Sequence, residues 1–522
     1  MASITPIAST VVFIGTAFIA RQCIRRRALH HLTCNDSFPV SLKEADAQTQ
    51  EQVERNRSSH VSKSCSVSYA NSGALQMQRG EGSRLFDING IGYLDTRNNV
   101  AHVGHSHPKV AQAVAFQVQL LNTNTRYLHP NSSLLAKKLA DLLPSPLEVV
   151  FFVNSGSEAN DLALRLARAY KCSQSADERL KKQHVISVDH AYHGHTLAVL
   201  DVSPYKHHQG DEMTCPGHVK IVSCPDLYRG EHSLPINANN DTDDALVEDA
   251  ASKYAAHVEA ACDEITSSGN SVSAFIIEGG MSVAGVILPP KSYLKTCIEA
   301  VHTSGGLYIA DEVQTGFGRL GKCMWAFQHS MGGNDSDICP DIVTVGKPFG
   351  NGMPLAAVIT TRQIASSFES LGVEYFNTFG GNPVCCAAGL AMLDVLSSEG
   401  LQNNALTVGS YLQQRFCQLQ SRQELIGDIR GCGLFLGIEL VKDKITKEPA
   451  TVETSFICSI LKEKYHVLTS VDGFHENVIV IKPPMCFSKA DAEEFVSCFE
   501  KVLVEDLPAA SERLAQMKRT PT

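Results

Sequence analysis

Five short apolar runs in this chain each end in residues that can do chemistry. The run 149–153 leads into Asn154-Ser155-Gly156-Ser157-Glu158, and 185–188 leads into Asp189-His190-Ala191-Tyr192-His193-Gly194. The run 274–277 ends at Glu278-Gly279-Gly280, 307–310 at Asp311-Glu312-Val313-Gln314, and 342–345 at Gly346-Lys347. Together they supply an anion site, an aromatic face, two acids and one lysine. Gly156 lets the backbone approach a phosphate, which takes the free N–H groups of a helix start. Ser155 and Glu158 also have the spacing of an ordinary capping box. Tyr192 is either a packed loop aromatic or a stacking surface. Lys347 follows an apolar strand and precedes Pro-Phe-Gly-Asn-Gly, a loop with poor means of returning it to solvent. Partial desolvation lowers a lysine's pKa, which is what an amine nucleophile requires.

Two rival readings fail on spacing. Asp311 after an apolar strand resembles the metal-binding acid of a P-loop nucleotidase, but that reading needs GxxxxGK[ST]. Gly346-Lys347 is followed by Pro348, and Gly321-Lys322 by Cys323. The histidines His102, His105 and His107 sit too close together for two ligands at i, i+4 on one helix face, so no metal site is expected.

The elements that must position these residues follow from periodicity. From about Ser66 onward, apolar runs alternate with helix-period stretches at 161–170 and 293–303, which predicts βαβ units and a mostly parallel sheet covered on both faces. Ligands then bind outside the carboxyl ends of the strands. After Pro383 come helical stretches at 390–396 and 405–419 and apolar runs at 434–440 and 478–481, a smaller α+β domain. We expect a segment at 66–112 contributing to the small domain, a large domain at 113–383, the C-terminal small domain at 384–508 and a tail at 509–522.

The chain has 522 residues, 43% hydrophobic and 19% charged, and its net charge of -10 argues against a nucleic-acid partner. Its 17 cysteines form no CxxC pair and read as buried small side chains in a reducing compartment. Residues 1–35 carry an apolar stretch at 4–20, four arginines and no acid before Asp36. That composition suits a mitochondrial presequence; the alternatives are a membrane anchor contacting lipid through 4–20 and a cytoplasmic protein with an incidental terminus. The polar residues 36–65 read as a linker.

At this point the sequence resembles a family. Asn-Ser-Gly-Ser-Glu-Ala at 154–159, His193-Gly194, Asp-Glu-Val-Gln-Thr-Gly-Phe-Gly-Arg at 311–319, Gly346-Lys347 and Thr-Phe-Gly-Gly-Asn at 378–382 are similar to the class III pyridoxal-phosphate aminotransferases. The resemblance covers about 101–487 and implies fold type I, an α/β large domain with a smaller α+β domain. It also implies the cofactor pyridoxal 5'-phosphate. Lys347 would hold it through a Schiff base and shuttle the proton. Asp311 would pair with the ring nitrogen, Gln314 would bond the phenolic oxygen, and Tyr192 would stack on the ring. Gly156 and Ser157 would bind the phosphate, and Glu278 would belong to the same cofactor pocket. Thr378 would reach the cofactor phosphate of a neighbouring subunit, which implies a homodimer or a dimer of dimers with shared sites.

Further stretches narrow the likeness to one branch. Residues 99–105, 121–129, 189–195, 203–206, 228–230 and Lys-Pro-Pro-Met-Cys-Phe at 482–487 resemble the ethanolamine-phosphate and 5-phosphohydroxy-lysine phospho-lyases. Those enzymes eliminate phosphate from a phosphorylated amine. Many class III transaminases carry Arg two residues past His-Gly, where this chain has His195. The expected activity is therefore a lyase, with an ω-amino-acid or alanine–glyoxylate transaminase as the alternative. A silent scaffold on the same fold sits poorly with Lys347, Asp311, Gln314 and Tyr192 all being present. For the substrate phosphate the candidates are Arg126 and Arg430.

Overall fold

The computed structural model describes residues 40–170, 176–207, 216–234, 244–330, 339–372 and 374–510. The presequence or anchor reading of 1–35 lies outside them. Among the described residues no single helix is long and apolar enough to cross a membrane. Of the described residues, those from Val40 to Gln76 form one compact unit and those from Met77 to Ala510 a second.

In the first unit, the stretch read as a linker carries helices Val40–Asp46 and Gln50–His60. Thr49 and Gln52 form a full capping box that starts the second helix. It buries no residue, so local capping rather than core packing accounts for it.

The second unit begins with a small sheet of β1 (Met77–Glu81), β2 (Arg84–Asp87) and β3 (Gly92–Asp95). Its main feature is a seven-stranded sheet. The strands are β4 (Leu147–Val153), β5 (His184–Val188), β6 (Val219–Val222), β7 (Val272–Glu278), β8 (Leu307–Asp311), β9 (Ile342–Val345) and β10 (Ala356–Thr361). They lie in the order β4-β10-β9-β8-β7-β5-β6. Only β10 runs against its neighbours; the other adjacent pairs are parallel.

Alternate side chains of these strands enter two different cores. Phe275, Ile277, Tyr308, Ala310, Val343 and Val345 pack on one face with helices Asp244–Ser267 and Tyr293–Thr303. Ala274, Ile276, Leu307, Ile309 and Ile342 face the other core, with helix Gly156–Ala169. A sheet buried on both faces explains why its strands read as unbroken apolar runs.

The chain then passes through helices Pro383–Ser398 and Leu401–Gln420 into a second, antiparallel sheet. It consists of β11 (Ile426–Cys432), β12 (Phe435–Asp443), β13 (Glu448–Pro449), β15 (Ser470–Asp472) and β16 (Val478–Ile481). The two-residue β14 (Val467–Leu468) instead pairs in parallel with β3, tying the start of the unit to its end.

Candidate active site

All five strands that carry the polar ends point the same way, so their termini share one edge of the sheet. Register levels three of them: Glu278 is paired with Asp311, and Asp311 with Thr344, three residues before Lys347. The result is a cavity of about 380 Å³. Gly156, Ser157 and Gly194 line one part of it, and Tyr192, Glu278, Asp311, Gln314 and Lys347 the rest.

Ser155 caps helix Gly156–Ala169 by accepting from the Glu158 N–H at 3.2 Å. The N–H groups of Gly156 and Ser157 have no acceptor among the described residues, and both residues line the cavity. A Cβ on Gly156 would come within 2.5 Å of Val313, and one on Gly194 within 2.4 Å of Ser157 Oγ. Gly194 also has φ +139°, a left-handed conformation open to glycine. The cradle is an unblocked helix start, suited to an anion.

Asp311 is held rigidly. Its Oδ2 lies 2.7 Å from His193 Nδ1 and accepts from Asn160 Nδ2 at 2.8 Å, while Oδ1 accepts from the Val313 N–H at 3.0 Å. Asn160 is fixed in turn by the Thr344 hydroxyl, which donates to its Oδ1 at 2.7 Å. His193 Nε2 is buried without a partner. Glu278 accepts from the Tyr192 N–H at 3.0 Å, and burial pushes its carboxyl up to about 7.

Lys347 makes no hydrogen bond or ion pair among the described residues. Burial, and then the positive charge of Lys482, lower its pKa to about 8. Gln314 accepts from Asn99 Nδ2 at 3.1 Å and from Lys482 Nζ at 3.4 Å.

Other expected residues lie elsewhere. Arg126 does not line this cavity in its own chain; it is exposed, pairs with Glu374 at 3.1 Å and covers the Phe376 ring at 4.3 Å. Arg430 lines a different cavity of about 320 Å³. It pairs with Asp428 at 2.8 Å and Glu439 at 2.7 Å and donates to the Gly285 carbonyl. Two carboxylates cancel the charge a substrate anion would need. Thr378 is exposed on a loop whose neighbour Asn377 accepts from Asn154 at 2.8 Å, beside the cradle.

The histidine run goes to three separate partners. His102 Nε2 meets the Phe317 carbonyl at 2.9 Å, His105 meets Asp95 at 2.7 Å, and His107 meets Glu399. Burial drives the His102 pKa down to about 3. These are structural histidines.

The chain matches the family described as aminotransferase class-III over residues 66–503. It belongs to that family. Its fold is fold type I of the pyridoxal-phosphate enzymes. It is 44% identical to an alanine–glyoxylate aminotransferase 2-like protein of Drosophila melanogaster, over 87% of this chain and 88% of the relative. It is 38% identical to ethanolamine-phosphate phospho-lyase homolog 1 of Caenorhabditis elegans, over 90% and 96%. Among solved structures it is similar to a phospholyase from Arthrobacter in complex with phosphoethanolamine. That likeness has a TM-score of 0.77 at 32% identity and covers 87% of this chain and 99% of that one.

The site residues of this class III chain fit the family's cofactor. An anion cradle, a buried carboxylate and an unpartnered lysine share one cavity of suitable size. Sequence reasoning missed Asn160, Asn99 and Lys482. Lys482 stood in a quoted motif, and the apolar run leading to it, Val478–Ile481, was the available signal.

Proposed function

We propose that this protein is a pyridoxal-phosphate-dependent phospho-lyase acting on a phosphorylated primary amine, ethanolamine phosphate or 5-phosphohydroxy-L-lysine. The observation that carries the reading is the likeness, over nearly the whole of its length, to a phospholyase solved with phosphoethanolamine. His195 at the position where many class III transaminases carry Arg supports it. The transaminase alternative draws on the name of the Drosophila relative.

In this reading Gly156 and Ser157 hold the cofactor phosphate, Tyr192 covers the ring, and Gln314 bonds the phenolic oxygen. Bound there, pyridoxal phosphate supplies an electron sink for a carbanion at the carbon bearing the substrate nitrogen. Lys347 would hold the cofactor and, once displaced by the incoming amine, would take the proton from that carbon. Asp311, fixed by His193 and Asn160, keeps the proton on the ring nitrogen. The bond from the adjacent carbon to oxygen breaks, and phosphate leaves with the electron pair. One amine and one water give one aldehyde, one ammonia and one phosphate. Thr378 acts in a neighbouring subunit of a homodimer.

The test is product analysis on both phosphoamines with no keto acid present. Ammonia and inorganic phosphate are expected in equal amounts. Steady transamination of alanine with glyoxylate, without phosphate release from either phosphoamine, would overturn the lyase reading.

Gly194→Ala is expected to weaken cofactor binding by ~10–100-fold, because the added methyl overpacks Ser157 Oγ at a left-handed position. An absorbance titration of the apoenzyme measures it. Unchanged affinity would place the phosphate away from Ser157.

A further inference from the structure

A phospho-lyase must seat two phosphates. The helix start accounts for one, and neither Arg126 nor Arg430 presents a spare charge to the cavity within one chain. The chain contains a second buried lysine beside the first. Lys482 follows β16 immediately and is 12% exposed. Its Nζ donates to Ser282 Oγ at 2.7 Å and to Gln314 Oε1 at 3.4 Å, both neutral. Its carboxylate partner, Asp472, stands off at 3.7 Å. The ion pair with Asp472 is long, the two closer partners are neutral, and Glu278 adds a second, more distant carboxylate, so an anion beside the ammonium would make a charge-assisted contact that none of these supplies.

The position suits the substrate. Gln314 lines the cavity that Lys347 faces, and the Lys482 ammonium touches its amide. Lys482 does not itself line that cavity; it stands behind Gln314, and its charge also helps lower the Lys347 pKa. In either phosphoamine, phosphorus lies four bonds from the reacting nitrogen, about 4–5 Å by ordinary bond lengths. Arg97 adds positive charge that acts on both Lys482 and Asp472. The backbone holds Lys482 firmly: its N–H donates to the Thr96 carbonyl at 2.8 Å, and the buried Arg319 donates to the Pro483 carbonyl at 2.8 Å.

We propose that Lys482 is the cation that receives the substrate's phosphate and commits the site to phosphorylated amines. The inference rests on the phospho-lyase reading.

Lys482→Met keeps the apolar stem and removes the charge. In the holoenzyme it is expected to lower kcat/KM for ethanolamine phosphate or phosphohydroxylysine by ~10–100-fold, the effect of one charge-assisted contact. The inhibition constant for inorganic phosphate should rise by a similar factor, while cofactor affinity stays within a few fold. Lys482→Arg should restore much of both losses. It also serves as the readable variant if the methionine protein fails to fold, since a neutral effect on phosphate inhibition there, with the substrate affinity lost, would overturn the proposal. Three results separate the possible failures. Wild-type enzyme that releases no phosphate from either amine removes the function reading and this inference with it. Phosphate release that is unchanged in Lys482→Met removes this inference alone. A loss of activity with unaltered phosphate inhibition means Lys482 acts by holding Gln314 and also overturns it.

Discussion

Replacement of Lys347 by alanine is expected to lower turnover by at least ~10²–10⁴-fold, the share of a positioned general base alone. The true loss should be larger, because the same amine also carries the cofactor. The four buried residues of β9 lead the chain to the sheet edge and deliver Lys347 to the cavity wall. There the ammonium forms no direct ion pair among the described residues, and burial with the Lys482 charge outweighs the pull of Asp311, Glu278 and Asp472 and lowers its pKa to about 8. The lowered value favours the neutral, nucleophilic amine. Above about pH 8 the amine of the apoenzyme is mostly free to react, and each unit below lowers the neutral fraction about tenfold. Cofactor capture by apoenzyme should follow that profile instead of the profile of an exposed lysine. Borohydride reduction of the holoenzyme followed by peptide mapping should place the label on Lys347. Lys482 is the instructive competitor, since it is buried and nearby. A label there would sink both the assignment and the phosphate role given to Lys482.

The fold and the cavity at its sheet edge were legible for a common physical reason. A parallel sheet buried on both faces writes its strands as apolar runs, and each run stops where the chain meets the ligand edge. Strand β9 coincides with the expected run, and helix Tyr293–Thr303 has the expected limits. What the sequence hid were contacts spanning many residues. Asn160 reaches Asp311 across 151 positions, and His193 does so across 118. No periodicity encodes such a pair. Lys482 is similar: its meeting with Gln314 depends on β16 and the 311–319 segment converging from separate sheets. Arg430 is a different case. The family resemblance put it forward for a substrate anion, yet its neutralising partners are on its own hairpin. β11 and β12 pair Asp428 with Glu439, diagonal to Arg430, so the ion pairs were open to a reading of strand register. The stretch 41–64 was judged on polarity, which outweighed the Thr49–Gln52 capping signal.

The second large effect is expected at Asp311. Asp311→Asn should lower kcat by ~10²–10³-fold, the usual range for losing one preorganised electrostatic partner in a water-poor site. The carboxylate is surrounded by donors: His193 at 2.7 Å, Asn160 at 2.8 Å and the Val313 N–H at 3.0 Å. An asparagine carbonyl could keep the Val313 contact, but its NH₂ would then face the Asn160 amide, donor against donor. Leaving such a buried group unsatisfied costs about 1–3 kcal/mol, so the melting temperature should also fall. A stability effect alone would not identify the role, and the cofactor can be varied as well as the protein. A cofactor analogue with carbon in place of the ring nitrogen removes the atom that Asp311 would pair with. In wild-type protein that analogue should reduce turnover by about as much as Asp311→Asn does with the natural cofactor. Combining the two changes should add little, because both delete the same charge pair. Full additivity would mean that Asp311 acts elsewhere, for example by orienting His193, and would remove it from the cofactor ring.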